Sequence, residues 1–149
     1  MHQNVDGNAD TKTATSFSYN VEELFFNTLD EHFSDEHVRR ALAMAIDRES
    51  LTKALTFGYA EIANTVLPRA LLYQTNDTVN ALSYDIDAAK EELAQSAYPD
   101  GFDTTISIAS GNNTRLQEAQ IIQAAGAQIG SILKLMHRKF LHSVQISAI

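Results

Sequence analysis

The chain of 149 residues is 44% hydrophobic and 20% charged, which is the balance of an ordinary globular domain. Its formal net charge of −8 argues against a nucleic-acid partner, because phosphate binding needs clustered Lys and Arg. The lack of cysteine excludes disulfides and thiolate metal sites, and no apolar run reaches the roughly 18 residues of a membrane-spanning helix.

The chain begins with a polar stretch, followed by a short apolar one. Residues 1–16 show no periodicity, and we expect a poorly ordered lead-in before a single unit at 17–149. They also lack the apolar core of a signal peptide, so either the protein is cytoplasmic or the sequence starts inside a longer chain. The apolar, aromatic run at 24–28 predicts a buried strand.

Two helices in tandem are predicted next. Ser34 can cap the first, in which four apolar residues recur at helical spacing: Val38, Ala41, Leu42 and Ala45. Asp47 can cap the second, and Gly58 is expected to end it in the left-handed conformation. Residues 59–82 show no sustained period and therefore predict a long loop.

A third helix and a strand follow this loop. Asp85 can cap the helix, whose predicted apolar face comprises Ile86, Ala89, Leu93 and Ala97. The sequence Tyr-Pro-Asp-Gly at 98–101 is a strong turn signal. Apolar residues then alternate with polar or small ones at 102–108, as they do in a half-buried strand.

The remaining segment predicts a strand, a helix and another strand. Thr114 and Gln117 stand at capping-box spacing before a fourth helix, and residues 132–137 form the next predicted strand. The unit at 102–138 has the length of a βαβ crossover, so its two strands should be parallel. A further helix is expected from Phe140 onward. This element order indicates an α/β (α+β) fold.

No group of residues points to catalysis, a resident metal or a cofactor. Two histidines at i and i+4 would share a helical face, but none of the five has such a partner: His2, His32, His37, His137 and His142. We expect them to be solvated or to cap helices. The carboxylates cluster at predicted helix starts and exposed faces, and no nucleophile motif is present, so the sequence does not predict an enzyme.

The loop Ser-Gly-Asn-Asn at 110–113 has a physical argument for binding. It leaves the carboxyl end of a predicted parallel strand and enters a helix N-terminus, at the edge where open α/β sheets bind ligands. It matches neither glycine-rich nucleotide pattern. From the residues alone, a structural turn around Gly111 is the stronger alternative.

A family resemblance strengthens the case for a binding role of the loop at 110–113. The run LFFNT at 24–28, followed by FSDEHVRRALAMAIDRE at 33–49, resembles the signature of the family 5 extracellular solute-binding proteins, the oligopeptide-, dipeptide- and nickel-binding receptors of ABC importers. Ala97 and Ser131 depart from the family's usual Gly and Ile. Similarity continues in the family's order at short blocks: 58–60, 67–68, 84–85, 88–90, 98–102, 118–120 and 129–130.

The resemblance implies part of one lobe of a periplasmic-binding-protein-like type II fold, with a mixed sheet and flanking helices. The implied function is the substrate-binding component of an ABC transporter, which captures peptides outside the membrane and delivers them to a permease. The full-length protein would be extracytoplasmic, either lipid-anchored or free in the periplasm. Alternatives are a nickel complex, haem, an opine or an oligosaccharide as cargo, or an adhesion or signalling protein that reuses the fold. An exposed sheet edge could pair two copies of the fragment.

The resemblance also singles out a binding loop. In the peptide-binding branch, the loop after this strand approaches the carboxyl end of the ligand, which implies ligand-binding roles for Ser110, Gly111, Asn112, Asn113 and Arg115. The permanently charged fork of Arg115 could pair with a peptide carboxylate. Alternatively, Arg115 lies on the helix surface, and both interpretations stay open.

Overall fold

The computed structural model describes residues 14, 16, 20–63, 65–66, 82–139 and 144–146. Most of the predicted lead-in at 1–16 and of the predicted loop at 59–82 lies outside these ranges. None of the helices within them is long and apolar enough to cross a membrane. The elements in chain order are β1 (Leu24–Phe26), α1 (Glu36–Ala45), α2 (Arg48–Thr56), α3 (Ile86–Leu93), β2 (Asp103–Ala109), α4 (Asn113–Gln128), β3 (Ile132–Arg138) and β4 (Val144–Ile146).

The strands form one mixed sheet in the order β1-β4-β2-β3. β2 pairs in parallel with β3, from Asp103 opposite Ile132 to Ala109 opposite Arg138, which confirms the predicted parallel βαβ unit. β1 pairs in parallel with β4, and β4 runs antiparallel to β2. The start of β1 therefore lies at the same edge of the sheet as the end of β2.

The last strand corrects one prediction. A helix was expected from Phe140 onward, but residues 144–146 form β4, and Phe140 itself lies outside the described residues. β4 takes its backbone partners from β1 and β2 at once. Such long-range pairing overrides the local pattern on which the helix prediction rested.

Aspartates begin the first three helices. Asp47 and Asp85 cap α2 and α3 as predicted, each accepting from the amide three residues further along, at 3.0 and 2.9 Å. For α1 the predicted Ser34 is wrong by one residue, because Asp35 accepts the amide of His37 at 2.9 Å. The hydroxyl of Ser34 instead donates to a backbone carbonyl in the preceding turn.

The ends of two other helices also differ from the prediction by a few residues. Asn112, rather than Thr114, caps α4, since the helix already begins at Asn113 and Thr114 falls within its first turn. α3 ends at Leu93, so the exposed Ala97 lies beyond its apolar face.

The C-terminus of α2 requires two left-handed residues. Gly58 has a positive φ of 84°, as predicted, but Phe57 before it has already turned left-handed with a φ of 53°. This conformation is unusual for a residue with a bulky side chain.

The core lies between α1, α3 and α4 and the central strands. α1 packs on α3, and α4 packs on β2 and β3. The four apolar residues predicted to form the buried stripe of α1 are all buried. In β2, Ser107 is buried together with the predicted apolar residues, so the centre of this strand is covered on both sides. The largest fully buried side chains are Phe33, Val38, Leu42, Leu93, Ile106, Ile108 and Leu133.

Candidate functional site

The predicted binding loop lies at the carboxyl edge of β2. The amide of Ser110 donates to the carbonyl of Arg138 at 2.9 Å, which ties the loop to the end of β3. Asn112 accepts the amide of Arg115 at 3.1 Å and thereby begins the 16-residue helix α4. Residues 110–113 are all exposed, so the loop presents polar groups to solvent beside a helix N-terminus.

Gly111 fits the structural alternative for this loop. Its φ of 82° lies in the left-handed region, where a residue with a side chain is strained. An added Cβ would meet no atom within 4 Å, so no close approach of another group demands a glycine here. The turn itself accounts for Gly111, and a ligand contact at this residue stays a prediction.

Arg115 is folded against the body of the protein. Its side chain keeps only 16% of its exposure, and its Nη2 lies 3.3 Å from Oε2 of Glu22, whose side chain is 62% exposed. The two residues meet because Glu22 immediately precedes β1, and the start of β1 shares a sheet edge with the end of β2. Arg115 is thus mostly buried and paired with Glu22, and its pairing with a ligand carboxylate stays a prediction.

The surroundings of Arg115 include two acids. Its Nε is buried and has no hydrogen-bond acceptor among the residues that the structure describes. Glu118 lies one helical turn further along α4 and is half-buried. Burial raises the pKa of the Glu118 carboxyl, and the nearby Glu22 raises it further, while Arg115 acts in the opposite direction. Glu22 therefore contacts the guanidinium of Arg115 directly, and Glu118 interacts with it through its charge.

Sequence reasoning missed both of these acids. Glu118 has a signal in the sequence, because residues three apart on a helix are neighbours, and Arg115 and Glu118 have that spacing. Glu22 is 93 residues from Arg115 along the chain, and only the strand order brings the two together.

His32 belongs to a second, buried polar cluster, which corrects its prediction as a solvated or capping residue. Its Nδ1 lies 3.1 Å from Oδ1 of Asp30, and the two side chains are only 12% and 2% exposed. Its ring centroid lies 4.6 Å from that of Tyr98 and 5.2 Å from that of Phe102. The cluster joins the turn after β1 to the turn before β2.

His37 likewise has an acidic partner. Its Nδ1 lies 2.9 Å from Oε1 of Glu92, and the same oxygen lies 2.8 Å from Nε of Arg40. Glu92 thus connects α3 to two residues of α1. Across the described ranges, no three His, Asp or Glu side chains gather closely enough to hold a metal ion.

A shallow cavity of about 450 Å³ lies elsewhere, at the start of α2. None of the residues predicted to bind a ligand contributes to it. Its lining comprises Asp47, Arg48, Glu49, Ile62, Ser83 and Tyr84. The loop at 110–115, with Glu22 and Glu118, therefore remains the candidate site.

Comparisons with known proteins agree on one group of relatives. The family model of the bacterial extracellular solute-binding proteins, family 5 (middle), matches residues 2–140. The glutathione-binding protein GsiB of Salmonella choleraesuis is 36% identical over 104 residues, which cover 70% of this chain and 20% of that protein. Heme-binding protein A of Haemophilus influenzae is 33% identical over 115 residues, which cover 74% and 21%.

A solved structure has the same fold. The ABC transporter-associated periplasmic binding protein DppA from Helicobacter pylori, in complex with the peptide STSA, matches with a TM-score of 0.72 and 29% identity, covering 82% of this chain and 25% of that one. This likeness confirms the predicted periplasmic-binding-protein-like type II fold. The chain spans about a fifth to a quarter of the length of these relatives.

Proposed function

Because the chain belongs to the bacterial extracellular solute-binding proteins of family 5, we propose that it is part of the substrate-binding component of an ABC importer. The complete protein captures a peptide outside the membrane and passes it to a permease. It binds its cargo without catalysis, as the family's description as binding proteins suggests. It is either lipid-anchored or free in the periplasm.

The observation that carries the peptide assignment is the position of Arg115. Arg115 lies at the start of α4, beside an exposed loop at the carboxyl edge of the sheet, and its Nε has no acceptor among the described residues. Guanidinium groups bind carboxylates as planar forks, and every peptide with a free C-terminus offers a carboxylate. The relatives named for glutathione and solved with STSA support such a ligand, since both are peptides.

In this assignment, the members of the loop have different roles. Arg115 pairs with the terminal carboxylate of the peptide. Ser110, Asn112 and Asn113 line the approach with polar groups, and Gly111 provides the left-handed turn. Haem is the second candidate cargo, because heme-binding protein A is nearly as similar to this chain as the glutathione-binding relative.

The test is substitution of Arg115→Ala in a protein of the relatives' full length that carries this region. Binding of peptides with a free carboxylate should weaken by about 1.5–3 kcal/mol, the range for hydrogen bonds to charged groups, as measured by calorimetry. Amidated versions of the same peptides should bind with nearly unchanged affinity, since they offer no carboxylate.

Arg138→Ala is the matched control, because Arg138 lies at the same sheet edge and its Nε bonds to Ser107 instead of an acid. It removes the same charge and should not discriminate between the two peptide forms. Equal losses for free and amidated peptides in Arg115→Ala would show that Arg115 does not bind the carboxylate. Haem binding with no peptide binding by the unsubstituted protein would favour the second cargo.

A further inference from the structure

Resting on the proposed function, we infer that Glu22 occupies the carboxylate position of Arg115 and competes with the ligand for it. Glu22 would then act as a built-in competitor of the ligand. It lowers the affinity of the site for every carboxylate by the same factor.

The contact between the two residues is incomplete. Nη2 of Arg115 lies 3.3 Å from Oε2 of Glu22, whereas charge-assisted hydrogen bonds of this kind are usually about 2.7–2.9 Å long. A guanidinium can donate five hydrogen bonds and often binds a carboxylate through two of them at once. Within the described part of the chain, Arg115 makes one contact with Glu22 and its Nε has no acceptor, so Glu22 uses only part of the hydrogen-bonding capacity of the guanidinium.

The two side chains differ in how easily they can move. Arg115 is mostly buried, and its backbone is fixed by the cap of α4. The side chain of Glu22 is 62% exposed, so it can rotate into solvent without disturbing the core. Exposed ion pairs are weak, which makes the exchange of one carboxylate for another inexpensive. The arginine is therefore the fixed partner, and Glu22 is the replaceable one.

Charge favours exchange over joint binding. Glu22 contacts the guanidinium of Arg115, and Glu118, one helical turn further along α4, is a second acid whose charge interacts with both residues. A ligand carboxylate that entered while Glu22 stayed would be a third acid around one cation. Like charges at such separations repel, so the ligand displaces Glu22 instead of joining it.

A purely structural role for the pair predicts the opposite result. If Glu22 only tied the segment before β1 to α4, its loss would loosen the surroundings of Arg115 and weaken carboxylate binding. If Glu22 competes, its loss leaves Arg115 in place with a vacant position, and carboxylate binding becomes tighter. The sign of the change therefore separates the two roles.

The experiment uses the 149-residue chain, with acetate as the probe. The side-chain Nε–H resonance of Arg115, assigned by its loss in Arg115→Lys, is followed by NMR while acetate replaces chloride at constant ionic strength. Glu22→Gln should bind acetate about 1.5- to 5-fold more tightly than the unsubstituted chain, which is the range expected from removing an exposed ion pair. Glu23→Gln removes the same charge one residue along and should bind acetate as the unsubstituted chain does.

Each outcome has one meaning. Tighter binding in Glu22→Gln alone supports competition. Equal affinity in all three proteins, or weaker binding in Glu22→Gln, overturns it while leaving Arg115 as a carboxylate site. If acetate shifts the Arg115 resonance in none of them, the role of Arg115 in the proposed function fails as well, and the inference fails with it.

Discussion

Glu118 shows how the site influences stability as well as binding. Its side chain is half-buried on α4, and the charges of Arg115 and Glu22 are near enough to affect its carboxyl. Burial and Glu22 together outweigh the attraction of Arg115, so the pKa of Glu118 lies above its ordinary value. Because its pKa is raised in the folded protein, the ionised carboxyl lowers the free energy of unfolding and the protonated carboxyl does not. The stability of the fold therefore depends on the pH through this residue.

We expect Glu118→Gln to increase the free energy of unfolding at pH 7. The ionised carboxylate of Glu118 destabilises the fold above its folded-state pKa, and this cost disappears once the pH falls below the ordinary pKa of a glutamate in the unfolded chain. The increase in the free energy of unfolding that Glu118→Gln brings should therefore shrink as the pH falls from 7 towards 4. It should stay below about 1 kcal/mol, because a half-exposed group is screened by solvent.

Urea denaturation at several pH values measures this gain. Glu91→Gln is the control, because Glu91 is an exposed acid on α3 and its loss changes the net charge equally. A gain for Glu118→Gln that grew on acidification would contradict the assigned direction of the pKa shift.

At the scale of elements, the packing of α4 against β3 depends on one glycine. Gly126 lies in the last turns of α4, and a Cβ added there would collide with Cδ1 of Leu133 and come within 3.2 Å of its Cγ. Leu133 is fully buried, so its side chain has little freedom to move aside. The glycine thus permits the close approach of helix and strand that holds the βαβ unit together.

We expect Gly126→Ala to destabilise the protein despite the higher helix propensity of alanine. Overpacking a core site costs about 1–3 kcal/mol, while replacing glycine within a helix gains up to about 1 kcal/mol. The net loss in chemical denaturation should therefore reach up to about 2 kcal/mol. Ala124→Gly, at an exposed position of the same helix, measures the propensity contribution without a packing change.

Adding Leu133→Ala to Gly126→Ala tests the cause of that loss. If the new methyl group collides with Leu133, the two substitutions should be non-additive, because shortening Leu133 makes room for it. A Gly126→Ala variant more stable than the unsubstituted chain would show that the core accommodates the methyl group by another movement.

At the scale of the whole molecule, the candidate site is open. Residues 110–113 are exposed, whereas ligand sites of high affinity usually enclose most of the ligand surface. The chain spans only about a fifth of the length of its curated relatives. Under the proposed function, the rest of the enclosure comes from parts of the complete protein beyond these 149 residues.

We therefore expect the 149-residue chain by itself to bind peptides with millimolar or weaker affinity. A complete protein that binds at about 1 μM gains roughly 8 kcal/mol. With about half of the contacts, the chain would still face an association cost of at least about 4 kcal/mol. Calorimetric titration with peptides tests this expectation. Near-UV circular dichroism should first show that the chain used for the titration is folded. A micromolar isotherm, reproduced with one purified peptide, would show that the site lies within this chain.

The parts of this protein that could be predicted from sequence are those with local causes. Asp47 and Asp85 begin helices because a side-chain oxygen accepts an amide only three residues away. The stripe of α1 follows from the helical repeat, and the parallel pairing of β2 and β3 follows from the length of the connection between them. The family could be recognised for the same reason, because its signature is a set of short blocks in a constant order.

Only the tertiary structure decided the contacts between residues that are distant in sequence. β4 is a strand because β1 and β2 supply its backbone partners, and no local pattern within 140–149 reveals them. The pair of Arg115 with Glu22 depends on a sheet topology that places the start of β1 and the end of β2 at the same edge, with β4 between the two strands. A sequence specifies which side chains could form such a pair. The strand order determines which of them meet, because the energy of an ion pair depends on a distance that only the folded chain sets.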